Sequence, residues 1–248
     1  MTFSIPKTPR FATLHRAALA CALTVGLASV AGPAMAQTSP RIGFVSTERI
    51  MRDSAPAKAA QAKWALVSLA KSVDIMFKFR QLMIEHADEL ADIIVREGGK
   101  THGDALGEIA RGRETVDFVC GINAALKGEF TDQASSGVDV HTMRQPVGVV
   151  AGICPFNFPA MVPLWMHPVA LATGNAFILK PASTTPSAAL LTAELYKEAG
   201  LPDGVFNVVS GDRTLVSKVL EHPGIDAISF VGSTPVAHIV QNLSLIHI

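Results

Sequence analysis

Between residues 147 and 231 the chain alternates short apolar runs with amphipathic stretches, and this alternation restricts the fold more than any other feature. The apolar runs lie at about 147–153, 176–180, 205–209 and 227–231, with helical stretches at about 160–172, 186–199 and 213–220 between them. A strand buried on both faces reads as a continuous apolar run, because neither side meets water. Strands separated by helices need crossover connections, which are right-handed and generate a parallel sheet. The expected class is therefore α/β with a Rossmann-like parallel sheet. Thr185-Pro186 reads as a helix cap followed by proline at the first helical position, and Gly200 lies just past the helix end.

In open sheets of this kind, ligands gather outside the carboxyl ends of the strands. The first run ends in Ile153-Cys154-Pro155-Phe156-Asn157-Phe158-Pro159. The two prolines each remove a backbone donor and restrict the preceding residue, so the chain turns sharply with one amide side chain held at the turn. Asn157 there either stabilises its own turn or donates to a developing oxyanion. The second run ends at Lys180-Pro181, where a cation is either solvated or meets a ribose hydroxyl or phosphate. Phe230-Val231-Gly232-Ser233-Thr234-Pro235 is a strand, a small-residue turn and a helix start. Its backbone N–H groups and the hydroxyls of Ser233 and Thr234 suit an anion, or serve as an ordinary cap. Val208-Val209-Ser210-Gly211 adds another strand-to-loop glycine. The G-x-G-x-x-G dinucleotide fingerprint is absent from the sequence.

Pro155-Phe156-Asn157-Phe158-Pro159, followed by Met161-Val162-Pro163-Leu164-Trp165-Met166, resembles the aldehyde dehydrogenase superfamily. Within it, the chain is similar to the methylmalonate-semialdehyde (malonate-semialdehyde) dehydrogenase branch. The resemblance runs from about Trp64 to Asn242 and includes Glu97-Gly98-Gly99-Lys100-Thr101, Cys120-Gly121-Ile122 and Leu126-Lys127-Gly128-Glu129. It implies that Asn157 supplies part of an oxyanion hole and that Lys180 contacts the adenosine ribose of NAD. It also implies cofactor-pocket positions at Cys154 and Phe156, and a pyrophosphate contact at the Ser233 turn. Ser183 stands where the family has a glutamate, and Thr184 where it often has an arginine. Loss of that carboxylate weakens one ribose contact and leaves NADP open beside NAD. The resemblance further implies a small-molecule semialdehyde substrate, coenzyme A as acyl acceptor, a homo-oligomer and a cytoplasmic parent enzyme.

Upstream, the sequence changes character twice. Residues 1–36 read as a secretory signal peptide: Lys7, Arg10 and Arg16 precede an apolar stretch at 17–30, and Ala34-Met35-Ala36 is a cleavage site. That apolar stretch is too short to serve as a stable membrane anchor. Residues 37–63 are expected to give a short strand at 41–50 and a helix capped at Asp53-Ser54. This piece resembles the mature start of periplasmic outer-membrane-protein chaperones of the OmpH/Skp type. From Trp64, Met76, Phe79, Leu82, Met83, Leu90, Ile93 and Ile94 share one face of a helix ended by Gly98-Gly99. A second helix is expected at 104–120, and a hairpin pairing 137–140 with 143–147.

The 21 basic residues balance the 21 acidic ones, which leaves no electrostatic case for nucleic acid. Cys21, Cys120 and Cys154 lack metal-ligand or disulfide spacing, and no metal site is expected. Cys154 has no neighbouring histidine or carboxylate motif to activate it, and the family nucleophile belongs to a later segment. Residues 243–248 do not continue the family pattern and read as a non-native tail. Three functions follow as expectations. The first is an incomplete, inactive NAD-binding half, residues 64–242, of a semialdehyde dehydrogenase. The second is a periplasmic chaperone-like binding protein, and the third a structural protein without catalysis.

Overall fold

The structure, a computed structural model, describes the backbone of residues 47–244 and the side chains from Pro56 onward. The signal-peptide reading, and the part of the expected strand at 41–46, lie outside the described residues, as do positions 245–248. Four helices come first: α1 (Thr47–Trp64), α2 (Leu69–Glu85), α3 (Ala87–Gly98) and α4 (His102–Cys120). A short 3-10 turn, Ile122–Ala124, leads to a ribbon of β1 (Phe130–Ser135) and β2 (Val138–His141). The α/β part follows as β3 (Val149–Ile153), α5 (Met161–Ala172), β4 (Ala176–Lys180), α6 (Ser187–Ala199), β5 (Phe206–Val208), α7 (Arg213–Leu220), β6 (Ala227–Phe230) and α8 (Thr234–Ser244).

The expected parallel sheet is present, with strand order β5-β4-β3-β6 and every pairing parallel. Alternate residues of β4 enter two different cores, as the two-residue period of a strand requires. Phe177 and Leu179 join the larger core with Leu164, Leu171, Leu195 and Tyr196 from α5 and α6. Ala176 and Ile178 pack on the opposite face with Leu215 and Val219 of α7 and Ala57 of α1. The chain moves outward from β3 to β5 with helices on one face. It then returns beside β3 through α7 on the other face, and right-handed crossovers require that change of face when the direction reverses.

Several local expectations are corrected. Helix α1 starts at Thr47, so 47–50 is helical rather than extended, and Asp53-Ser54 is interior to the helix rather than its cap. The helix expected through 76–94 breaks at His86, whose backbone N–H still bonds Leu82 O while α3 begins with Asp88 and Glu89 in its first turn. The apolar period continues across the break and so conceals it. Helix α4 begins two residues early, because Thr101 accepts from the Asp104 N–H as its cap at 3.2 Å. The ribbon pairs Phe130 with His141, not 137–140 with 143–147, and turns at Gly137 with φ +74°. Thr185 does not cap α6: its hydroxyl is buried without a partner, and the Glu97 carboxylate accepts from the Ser187 N–H instead. Gly200 does close α6, at φ +96°. Leu243 and Ser244, read with the tail, complete α8, and Leu243 packs against Ile153, Leu220 and Val240.

Candidate functional site

Parallel pairing brings the carboxyl ends of all four strands to one edge. Backbone bonds extend the ladder past the strands: Cys154 N–H to Lys180 O (3.2 Å), Val209 N–H to Leu179 O (2.9 Å) and Val231 N–H to Ile153 O (3.1 Å). The loops holding Cys154, Phe156 and Asn157, then Lys180, Ser183 and Thr184, then Ser233, therefore share one side of the sheet. The sequence placed them at separate strand ends, and the sheet brings them together. The strand order reverses between β3 and β6, so the loops after these two strands diverge and leave a crevice between them.

The positions differ in access. Asn157, Ser183, Thr184 and Ser233 are exposed, and Phe156 is 65% exposed. Cys154 is buried, with its thiol 3.7 Å from the Met166 sulfur. Burial pushes the Cys154 thiol up to about 12, against the opposing effect of Lys180. A thiol raised this far holds almost no thiolate near neutrality, which disfavours it as a nucleophile. Lys180 is also buried, which lowers its pKa; the Asp212 carboxylate partly restores it. Ser183 donates to the carbonyl of Gly211 at 2.8 Å, tying the loop after β4 to the loop after β5.

The turn bearing Asn157 is held from the helical layer. Glu108 on α4 is buried, and its carboxylate accepts from the N–H groups of Ala160 (2.9 Å) and Met161 (3.1 Å) at the start of α5. The other oxygen of Glu108 pairs with Lys100, whose ammonium lies 3.9 Å from the centre of the Phe158 ring. Cation–π contact and helix capping thus grip both sides of the Pro159 turn. A cavity of about 400 Å³ opens beside it, lined by Lys100, Asp104, Gly107, Glu108, Arg111, Phe158 and Met161.

Sequence reasoning missed Asp212, Lys100 and Glu108 as neighbours of the site. Asp212 carried a readable signal, an acid just before a helical stretch; Lys100 and Glu108 carried none, since the turn they hold, at Phe158 and Ala160, lies more than 50 residues along the chain. Among the described residues, no group of three or more His, Cys, Asp or Glu could hold a metal ion. No helix among them is long and apolar enough to cross a membrane.

Residues 27–245 match the model of the aldehyde dehydrogenase family, a match that runs through the segment 37–63. Malonate-semialdehyde dehydrogenase 1 of Geobacillus thermodenitrificans is 43% identical over 219 residues, covering 88% of this chain and 45% of that protein. The chain thus spans less than half the length of this relative. A Sinorhizobium meliloti protein assigned as a methylmalonate-semialdehyde dehydrogenase, solved in complex with NAD, superposes with a TM-score of 0.79 at 48% identity. That match covers 82% of this chain and 42% of the other. An aldehyde dehydrogenase of Bacillus cereus, also solved with NAD, gives a TM-score of 0.77 at 33% identity, covering 81% and 42% of the two chains. With the family pattern spanning nearly its whole length and the same fold beneath it, the chain belongs to the aldehyde dehydrogenase family.

Proposed function

We propose that the chain supplies the nucleotide-binding part and the oxyanion donor of an NAD-dependent, coenzyme A-acylating malonate- or methylmalonate-semialdehyde dehydrogenase. One observation carries the reading: Lys180, Asn157 and Ser233 sit at the carboxyl ends of neighbouring parallel strands, around the point where the strand order reverses. The groups present suit a nicotinamide dinucleotide. Lys180 offers a partly desolvated cation for ribose hydroxyls, Ser183 and Thr184 line the lip, and the Ser233 turn offers donors at a helix start for the pyrophosphate. Cys154 and Phe156 form the pocket wall on the β3 side.

When bound, the dinucleotide accepts the hydrogen of the aldehyde as hydride. Asn157 directs an amide donor at the oxygen on which charge develops, with Glu108 and Lys100 fixing the turn that carries it. The cavity next to Phe158 carries both signs of charge, Lys100 and Arg111 beside Asp104 and Glu108, and Lys100 is already paired with Glu108. Burial raises the thiols of both Cys120 and Cys154, which disfavours either as the nucleophile. The chain by itself is proposed as a binding module without turnover. Exchange of the acyl group onto coenzyme A, with decarboxylation, is the family reaction and is proposed for the whole enzyme.

We also propose removal of a leader after Ala36 and self-association through the β1–β2 ribbon, where Phe130, Val138 and Val140 are about half exposed. The chaperone reading rests on residues 37–63 alone. Within that stretch, Ala57 packs on the sheet and Gln61 donates to Gly174 O at 3.3 Å. The boundary read at Lys63/Trp64 falls inside α1, where Trp64 donates to Leu171 O at 2.8 Å.

Calorimetric titration with NAD and AMP tests the nucleotide reading. Both are expected to bind, and Lys180→Ala to weaken both by about fivefold, the worth of one hydrogen bond of about 1 kcal/mol. Equal affinities in the two proteins would place the nucleotide, if bound at all, away from this edge.

A further inference from the structure

Ser183 leaves the loop after β4 without a carboxylate, but the neighbouring loop at the same edge of the sheet still carries one. Asp212 stands at the head of α7, in the loop after β5, and β5 is the strand paired directly with β4. The Ser183 hydroxyl donates to Gly211, the residue immediately before Asp212, so the two loops are tied at that point. Asp212 is thereby held beside the loop that begins at Lys180, and its charge helps the buried ammonium stay protonated. The carboxylate is fixed rather than waving: one of its oxygens, Oδ1, accepts from the N–H groups of Thr214 (2.9 Å) and Leu215 (3.4 Å). Those bonds hold its pKa below the usual carboxylate value, so the group is an anion at neutral pH. The residue remains exposed.

A cation and a fixed carboxylate on two tied, adjacent loops make a good receptor for a vicinal diol. The ammonium donates to hydroxyl oxygens, and the carboxylate accepts from hydroxyl protons. We propose that Asp212 is the ribose-recognising carboxylate of this chain and sets its preference for NAD over NADP. Ser183 then acts as the clasp that keeps Asp212 in place, and the ribose bonds to Asp212 rather than to the loop after β4. A 2′-phosphate would bring a second anion against Asp212 and be disfavoured. This inference rests on the nucleotide reading above and adds the residue that selects the nucleotide.

Substitution can separate charge from structure here. Asparagine and serine cap helices about as well as aspartate, so Asp212→Asn and Asp212→Ser keep the start of α7 while removing the charge. Titrating the full chain and both variants with NAD and NADP, with thermal midpoints as a folding check, tests the assignment. The unaltered chain should bind NAD more tightly than NADP. Both variants should bind NAD about tenfold more weakly, the loss of one charge-assisted bond, and narrow or reverse the preference. If Lys180→Ala weakens NAD binding while both Asp212 variants keep the affinity and the NAD/NADP ratio, Asp212 is not the selecting residue. If NAD fails to bind, or no variant including Lys180→Ala alters its binding, the nucleotide reading itself falls, and this inference with it.

Discussion

Among the described residues, His167 is the buried histidine whose protonation burial opposes most strongly. It is fully buried among Phe79, Phe177, Tyr196 and Phe206, with one ring nitrogen 2.9 Å from the Tyr196 hydroxyl and the other without a partner. Burial lowers its pKa to about 3 from an ordinary value of 6.5. An unfolded chain takes up this proton as pH falls below 6.5, whereas the folded chain resists until about 3. Stability from the neutral ring is therefore complete above 6.5 and drains away as the pH drops towards 3. Between pH 7 and 5 the loss should amount to about 2 kcal/mol. Urea midpoints at the two pH values measure it, and His167→Gln should flatten the slope. An unchanged slope in that variant would assign the acid sensitivity to other groups. At this scale the strand-end placement of Asn157 and Lys180 was legible because each follows an apolar run. Asp212 and Glu108 were not recognised, because their neighbours come from an adjacent strand or a distant helix.

Among the elements, strands and helices from β3 onward were legible almost to the residue. A buried parallel strand advertises itself by composition, and a crossover helix fills the interval. Terminal details were not. The break at His86 sits inside an uninterrupted apolar stripe, and the ribbon's true partner strand, Phe130–Ser135, mixes polar and apolar residues because it is exposed along its length. The start of α5 shows why caps escape a local reading. Its first amides are met by Glu108, 52 residues earlier than Ala160, which in turn holds Lys100 over Phe158. Glu108→Ala leaves two amides and an ammonium without their acceptor, and should destabilise the fold by about 3 kcal/mol. Glu108→Gln keeps an acceptor for the amides and should lose clearly less. Chemical denaturation of the two variants reads the difference; equal losses would mean that the side chain's packing, not its oxygens, holds the turn.

For the whole molecule, the exposed ribbon matters most. A lone two-stranded ribbon with apolar residues facing water is marginal, and contact with a second copy would cover it. Native mass spectrometry of protein recovered from an exporting host examines assembly and processing together. The expected species is an oligomer of chains beginning at Gln37; monomers at all concentrations, or chains still carrying residues 1–36, would count against the respective proposals. The helical layer has a temporal role as well. Neither α5 nor α6 is capped by a side chain of its own; Glu108 and Glu97, from α4 and α3, meet their first amides. During synthesis the amino-terminal helices leave the ribosome first. Their carboxylates precede the sheet's helices in synthesis, so α3 and α4 are available as a mould against which the α/β layer can set. Cut from that mould, the same strands and helices would emerge with two helix starts bare, and the sheet layer would have nothing to set against.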